Sequence, residues 1–123
     1  VRLAYYGFSL GGIWGPVLTA IDGRVKTSVQ IGGGFLAGKF PPEGDPFHFA
    51  PRAKEPVLMI VGRHDFVRPV ETCQMPMFRL LGAPARDKRI VLIETGHVVY
   101  PSPAVVKEIL DWLDRYLGPL PAK

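Results

Sequence analysis

The sequence is short of several things. It has one cysteine in 123 residues, Cys73, so no internal disulfide can form and the redox compartment is not indicated. It has no apolar run long enough to span a bilayer and shows no secretory signal. Its net charge is only +4, and the lysines and arginines are scattered rather than clustered. Scattered charge reads as a solvated surface, which argues against a nucleic-acid partner, as the missing apolar span argues against a membrane one. The histidines and the lone cysteine have no ligand spacing, so neither a metal centre nor a cofactor is expected. What remains is a chain that is 47% hydrophobic, enough for one globular unit with a modest core.

The chain opens with residues 1–6, VRLAYY, an apolar run rich in aromatic and β-branched residues that reads as a strand. It then breaks into Gly7-Phe8-Ser9-Leu10-Gly11-Gly12 and enters a segment with helical spacing. A strand, a G-x-S-x-G turn and a helix make a nucleophile elbow. The turn holds the Ser9 hydroxyl above the sheet edge. Gly7 and Gly11 lack a Cβ, which lets strand and helix approach. The Leu10 amide, at the helix start, would face an oxyanion formed when Ser9 attacks a carbonyl.

Residues 12–21 are short and apolar and should be the helix behind Ser9, with Pro16 tolerable only near its first turn. Asp22-Gly23 ends it, and residues 24–31, RVKTSVQI, alternate as a second strand. Gly32-Gly33-Gly34 closes that strand; it lacks the lysine and spacing of a phosphate loop. Residues 35–56 carry five prolines and no regular period, and read as an ordered, lid-like excursion. Residues 57–61, VLMIV, are continuously apolar, as a strand covered on both faces should be. Residues 69–81 have helical spacing, with Pro76 marking a kink or a late start and Cys73 on the inner face. Residues 88–94 form a fourth strand. Residues 103–117 form an amphipathic helix with Val106, Ile109, Leu110, Leu113 and Leu117 on one face and Trp112 packed. Strands alternating with helices build an α/β fold, a parallel sheet with helices on both faces.

Ser9, Asp65 and His97 each follow a strand at its C-terminal end, the edge where open α/β sheets bind ligands. In roles, Ser9 is the nucleophile, His97 takes and returns its proton, and Asp65 holds the imidazole. Taken alone, Asp65 reads better as a cap on the turn before Pro69. His64 and His48 are rival bases. His64 adjoins the proposed acid too closely in sequence, and His48 lies in the excursion, where packing or a substrate-side role is expected. Asp22, Asp111 and Asp114 fall on a turn and a surface helix and are set aside as the acid.

GFSLGG, VLMIVGRHD and ETGH, in that order, resemble the α/β-hydrolase superfamily, in the branch of dienelactone-hydrolase-like, acetyl-xylan-esterase-like and prolyl-oligopeptidase-like domains. The resemblance runs over essentially the entire chain. It implies that residues 1–123 are the C-terminal part of a single α/β-hydrolase domain with about four strands, beginning at the elbow strand. The strands before the elbow and the loop that usually donates a second oxyanion N–H are expected to lie outside it. The implied activity is that of a serine carboxylic ester hydrolase acting on a small-molecule ester through an acyl-enzyme. A peptidase-type variant ranks lower, and a non-catalytic fragment or assembly subunit is the alternative. The elbow strand is then an exposed edge, expected to pair with an N-terminal half or with a second copy.

Overall fold

The computed structural model describes residues 2–122. Four strands, β1 (Leu3–Phe8), β2 (Val25–Ile31), β3 (Val57–Gly62) and β4 (Lys88–Ile93), form one sheet in the order β1-β2-β3-β4. All three pairings are parallel. The register aligns Phe8 with Ile31, Ile31 with Ile60, and Gly62 with Ile93, so the strands finish at one common edge.

Side-chain alternation assigns each face its cover. Val57, Met59 and Val61 point to one side, where they pack with Val70, Met77 and Leu81. Leu58 and Ile60, with Val29 and Ile31 of β2, point to the other, against Val105 and Trp112. Helix α1 (Leu10–Ile21) shares the first face with α3 (Met75–Leu80), which follows the wide, π-type turn Val70–Gln74. Helix α4 (Pro103–Leu117) covers the second face. Every residue of β3 is buried, and each such aliphatic side chain contributes roughly 1.5–3 kcal/mol of transfer free energy.

The sequence reading needs four corrections. Helix α1 begins at Leu10, and Pro16 lies in its interior rather than in its first turn. Proline has no N–H, so the Gly12 carbonyl loses its helical donor. The helix persists because it is clamped to the sheet: a Cβ on Gly12 would lie 2.8 Å from the Gly33 Cα. Second, the excursion is not featureless. A short helix, α2 (Pro46–Phe49), capped by the Asp45 side chain, runs into the 3-10 turn Ala50–Arg52 and buries Pro46, Ala50 and Ala53. Third, α4 turns a rotated stripe to the core that keeps only Ile109 and Leu113 of the expected one. Val105, Ile109, Trp112, Leu113 and Tyr116 face the core, whereas Val106 and Leu110 are exposed. The indole decides this, since Trp112 Nε1 donates to Thr27 Oγ1 at 2.8 Å and Thr27 donates on to the Pro56 carbonyl. A buried indole N–H needs such a partner. Fourth, Cys73 is only half-buried. No described helix is long and apolar enough to cross a membrane.

Candidate active site

Ser9 stands between β1 and α1 with φ 52° and ψ −106°. Among the described residues it is the one non-glycine residue with positive φ, a conformation that costs on the order of 1–3 kcal/mol. Its amide donates to the Ile31 carbonyl at 2.8 Å, and its carbonyl accepts from Ile13 N–H, so sheet and helix hold the turn from both sides. The close approach behind it rests on Gly7, where a Cβ would lie 2.5 Å from the Gly11 carbonyl carbon. Gly11 itself has room for a side chain. The second tight contact belongs to Gly12 against Gly33. Leu10 is the first residue of α1, so its N–H has no acceptor within the helix.

Asp65 follows β3, and its side chain is fully buried. Its two oxygens divide the work. Oδ1 accepts from the amides of Val67 and Arg68 at 2.9 and 2.8 Å, which is the turn cap expected of it in isolation. Oδ2 lies 2.7 Å from His97 Nδ1 and 3.2 Å from Gln74 Nε2, which donates to it. The capping role and the contact with His97 therefore coexist on one carboxylate.

His97 comes from the loop after β4, with its side chain 15% exposed. Its ring leans on Phe8, with centroids 5.6 Å apart. Nδ1 faces a carboxylate, so Nδ1 carries the ring proton and the Nε2 lone pair is left for Ser9 Oγ, 2.8 Å away. The structure thus brings Ser9, His97 and Asp65 into one hydrogen-bonded line at the C-terminal edge of the sheet. Chemically, such a line can move a proton from a hydroxyl onto an imidazole whose other face is already anchored.

The rival bases sit elsewhere. His64 is exposed and meets Glu94 Oε2 at 3.0 Å; Glu94 also pairs with Arg63. The His64 contact and then Arg63 lower the Glu94 carboxyl below its ordinary value. His48 stands edge-on to Phe47 and helps line a cavity of about 480 Å³ with Phe35, Lys39, Phe40 and Asp45. Asp22 pairs with Arg24, and Asp111 with Lys107. Among the described residues, no group of histidine, cysteine or carboxylate side chains could hold a metal ion.

Sequence reasoning passed over Gln74. It is fully buried and also donates from Nε2 to the Arg68 carbonyl at 2.7 Å. An amide inside a helix-like stretch carries no motif. Only the wide turn at Val70–Gln74 and the fold of the 65–69 loop reveal its target.

No protein-family model and no curated protein matches this sequence. Solved structures do. A cold-adapted esterase from an Arctic intertidal metagenomic library superposes with TM-score 0.72 at 23% identity, over 91% of this chain and 48% of its own. An acetyl xylan esterase from Paenibacillus gives 0.75 at 18% identity, over 92% and 45%. A Thermus thermophilus protein gives 0.77 at 19% identity, over 98% and 56%. The chain therefore has the α/β-hydrolase fold, and it spans about half the length of the proteins that share it.

Proposed function

We propose that this chain carries the nucleophile, base and acid of a serine hydrolase acting on carboxylic esters. The observation that carries the reading is the line Ser9 Oγ–His97 Nε2 and His97 Nδ1–Asp65 Oδ2, at 2.8 and 2.7 Å, with Ser9 on a strained turn. His97 Nε2 takes the hydroxyl proton as Ser9 Oγ attacks the ester carbonyl. The tetrahedral oxyanion is met by the Leu10 N–H. Collapse breaks the bond to the alcohol oxygen, which leaves with the proton from His97, and the acyl group stays on Ser9. Water then gives its proton to His97 and attacks the acyl carbon. The acid departs and Ser9 recovers its proton. Small acyl groups fit the branch resemblance and the acetyl xylan esterase among the similar structures.

A second reading is that this chain is a non-catalytic fragment or assembly subunit, whose three residues need a further body to become reactive. It is favoured by the free edge of β1, flanked by exposed Tyr6, Phe8, Leu10, Leu18 and Ile21, and by similar structures about twice as long. A missing second oxyanion donor alone costs about a hundred- to thousandfold. The partner we propose is an N-terminal half or a second copy pairing along β1.

One experiment separates the readings. The purified chain is incubated with a fluorophosphonate and its intact mass is read, beside Ser9→Ala and His97→Ala. Stoichiometric labelling that requires both residues supports the first reading. Labelling of the full-length protein but not of this chain supports the second. No labelling of either overturns the assignment of Ser9.

A further inference from the structure

The structure assigns Gln74 as the positioning residue for the candidate acid: its side-chain amide helps hold Oδ2 of the Asp65 carboxylate toward His97, and thereby the imidazole. The inference rests on the proposed line from Ser9 to Asp65. Asp65 Oδ1 accepts from two loop amides, and Oδ2 is left for His97 and one further donor. Gln74 Nε2, 3.2 Å from Oδ2, is the one protein donor besides His97 on the second oxygen among the described residues. With it, the four acceptor positions of the carboxylate are filled by Val67, Arg68, Gln74 and His97.

Two further observations set Gln74 apart from an ordinary core residue. Both neighbours of its Nε2, Asp65 Oδ2 and the Arg68 carbonyl, only accept, so the amide has a single workable orientation. That orientation leaves Gln74 Oε1 buried with no partner, a cost of about 1–3 kcal/mol that a methionine of similar size would avoid. The residue stands where the wide turn Val70–Gln74 ends, with Val70, Gln74 and Met77 all turned inward. Gln74 touches no substrate in this scheme. It acts through Asp65.

The test is the proton NMR signal of His97 Nδ1–H, which reports the hydrogen bond to Asp65 whether or not Ser9 reacts. In the wild-type chain we expect a far-downfield signal that His97→Ala removes. Gln74→Met should displace that signal or broaden it beyond detection while circular dichroism stays native, and should slow fluorophosphonate labelling by about tenfold. Gln74→Glu, equal in size, is the second variant should the methionine not fold. Its added carboxylate faces Asp65 and should abolish the signal at neutral pH. On acidification it gains an O–H donor, and the signal should return. A signal unchanged in position and width in the variants overturns the proposal, even if the melting temperature falls, because a merely structural role predicts that result. A wild-type chain without the signal overturns it too. Failure of Ser9 to label with the His97 signal intact and dependent on Gln74 counts against the hydrolase reading alone.

Discussion

The two outer strands of the sheet are built differently. β4 is dressed with charge. Lys88 Nζ caps the carbonyls of Phe78, Arg79 and Leu81 at the end of α3, Arg89 pairs with Glu108, and Glu94, just beyond the strand, pairs with Arg63 and His64. Charged side chains are a common way to stop an edge from recruiting another strand. β1 has none of this: its residues are LAYYGF, and the nearest charge, Arg2, is turned to the Leu117 carbonyl. Tyr6 is 59% exposed, Leu10 58% and Ile21 66%, and Tyr5, Leu10, Trp14, Val17 and Leu18 line an open apolar hollow beside the strand. On the opposite face Leu110 and Leu113 join Arg2 around a second hollow. β4 has the composition of a sheet border, and β1 that of an interior strand. The difference teaches where the site stands: Ser9 hangs from the strand that has the composition of an interior one, so a body pairing along β1, as proposed above, would border it.

The largest effect expected follows from that placement. Ser9→Ala and His97→Ala should reduce labelling or ester turnover to background, about 10⁴-fold or more, and Asp65→Asn by about 10⁴-fold. His64→Ala, on the charged side, should leave the rate within about twofold. Equal losses from His64→Ala and His97→Ala would break the contrast between the two sides.

Next in size is the clamp behind Ser9. Gly7→Ala would place a Cβ 2.5 Å from the backbone of Gly11, whereas Gly23→Ala meets nothing within 4 Å. The first should cost about 3 kcal/mol or more, as overpacking against backbone does, and the second under about 1. Urea unfolding with an unchanged m value would report both. Comparable midpoints would mean that strand and helix are not held as tightly behind the serine as the geometry says.

How much of this was legible beforehand follows from the kind of signal each residue gives. β3 announces itself as an unbroken apolar run because it is covered on both faces. Ser9, Asp65 and His97 stand out in the sequence because each follows a strand at its C-terminal end, and the fold brings their side chains within hydrogen-bond distance. On α4 the pattern puts Val106 and Leu110 in the stripe, and leaves Val105 out, because local apolarity does not tell them apart. The choice was made by one indole N–H and a threonine 85 positions away. The sequence pattern starts α1 late because Pro16 looks like a first-turn residue. What holds it in mid-helix is Gly12 lying on Gly33, a tertiary contact no local pattern contains. Gln74 was missed for the same reason, since its role depends on a carboxylate nine positions earlier in chain and adjacent only after folding.

A moderate effect is expected on association. If the β1 edge is the open one, sedimentation at high concentration should show species larger than a monomer, and Tyr6→Lys should weaken that association by about tenfold. Leu92→Lys, on β4, should change it little. A strict monomer at every concentration would remove self-pairing as the occupant of the β1 edge and leave an N-terminal half.

The smallest effect concerns where the two sides keep their charge. On the β4 side the carboxylates of Glu94 and Glu108 point outward to cationic partners. Between α1 and β2 one carboxylate is turned inward. Glu55, just before β3, has Oε1 buried without a partner. Burial raises its carboxyl above the ordinary value, offset in part by the hydroxyls of Thr19 and Ser28. A raised folded-state value means that the native chain holds this proton more tightly than the unfolded one. The associated stability is fully present below the ordinary value of 4.5 and is lost as pH rises through the elevated one. Glu55→Gln removes that slope. It should stabilise the protein at pH 7 by about 1 kcal/mol, the lower range for relieving a buried unpaired polar group, and the gain should vanish near pH 4. Asp22, whose carboxyl Arg24 lowers to about 2, does not blur the comparison, because both proteins carry it and its contribution is lost between the ordinary value of 3.8 and the lowered one, below the range of the melts. Thermal melts of both proteins from pH 4 to 8 decide it: curves that run parallel would mean that Glu55 is as well solvated as the carboxylates along β4.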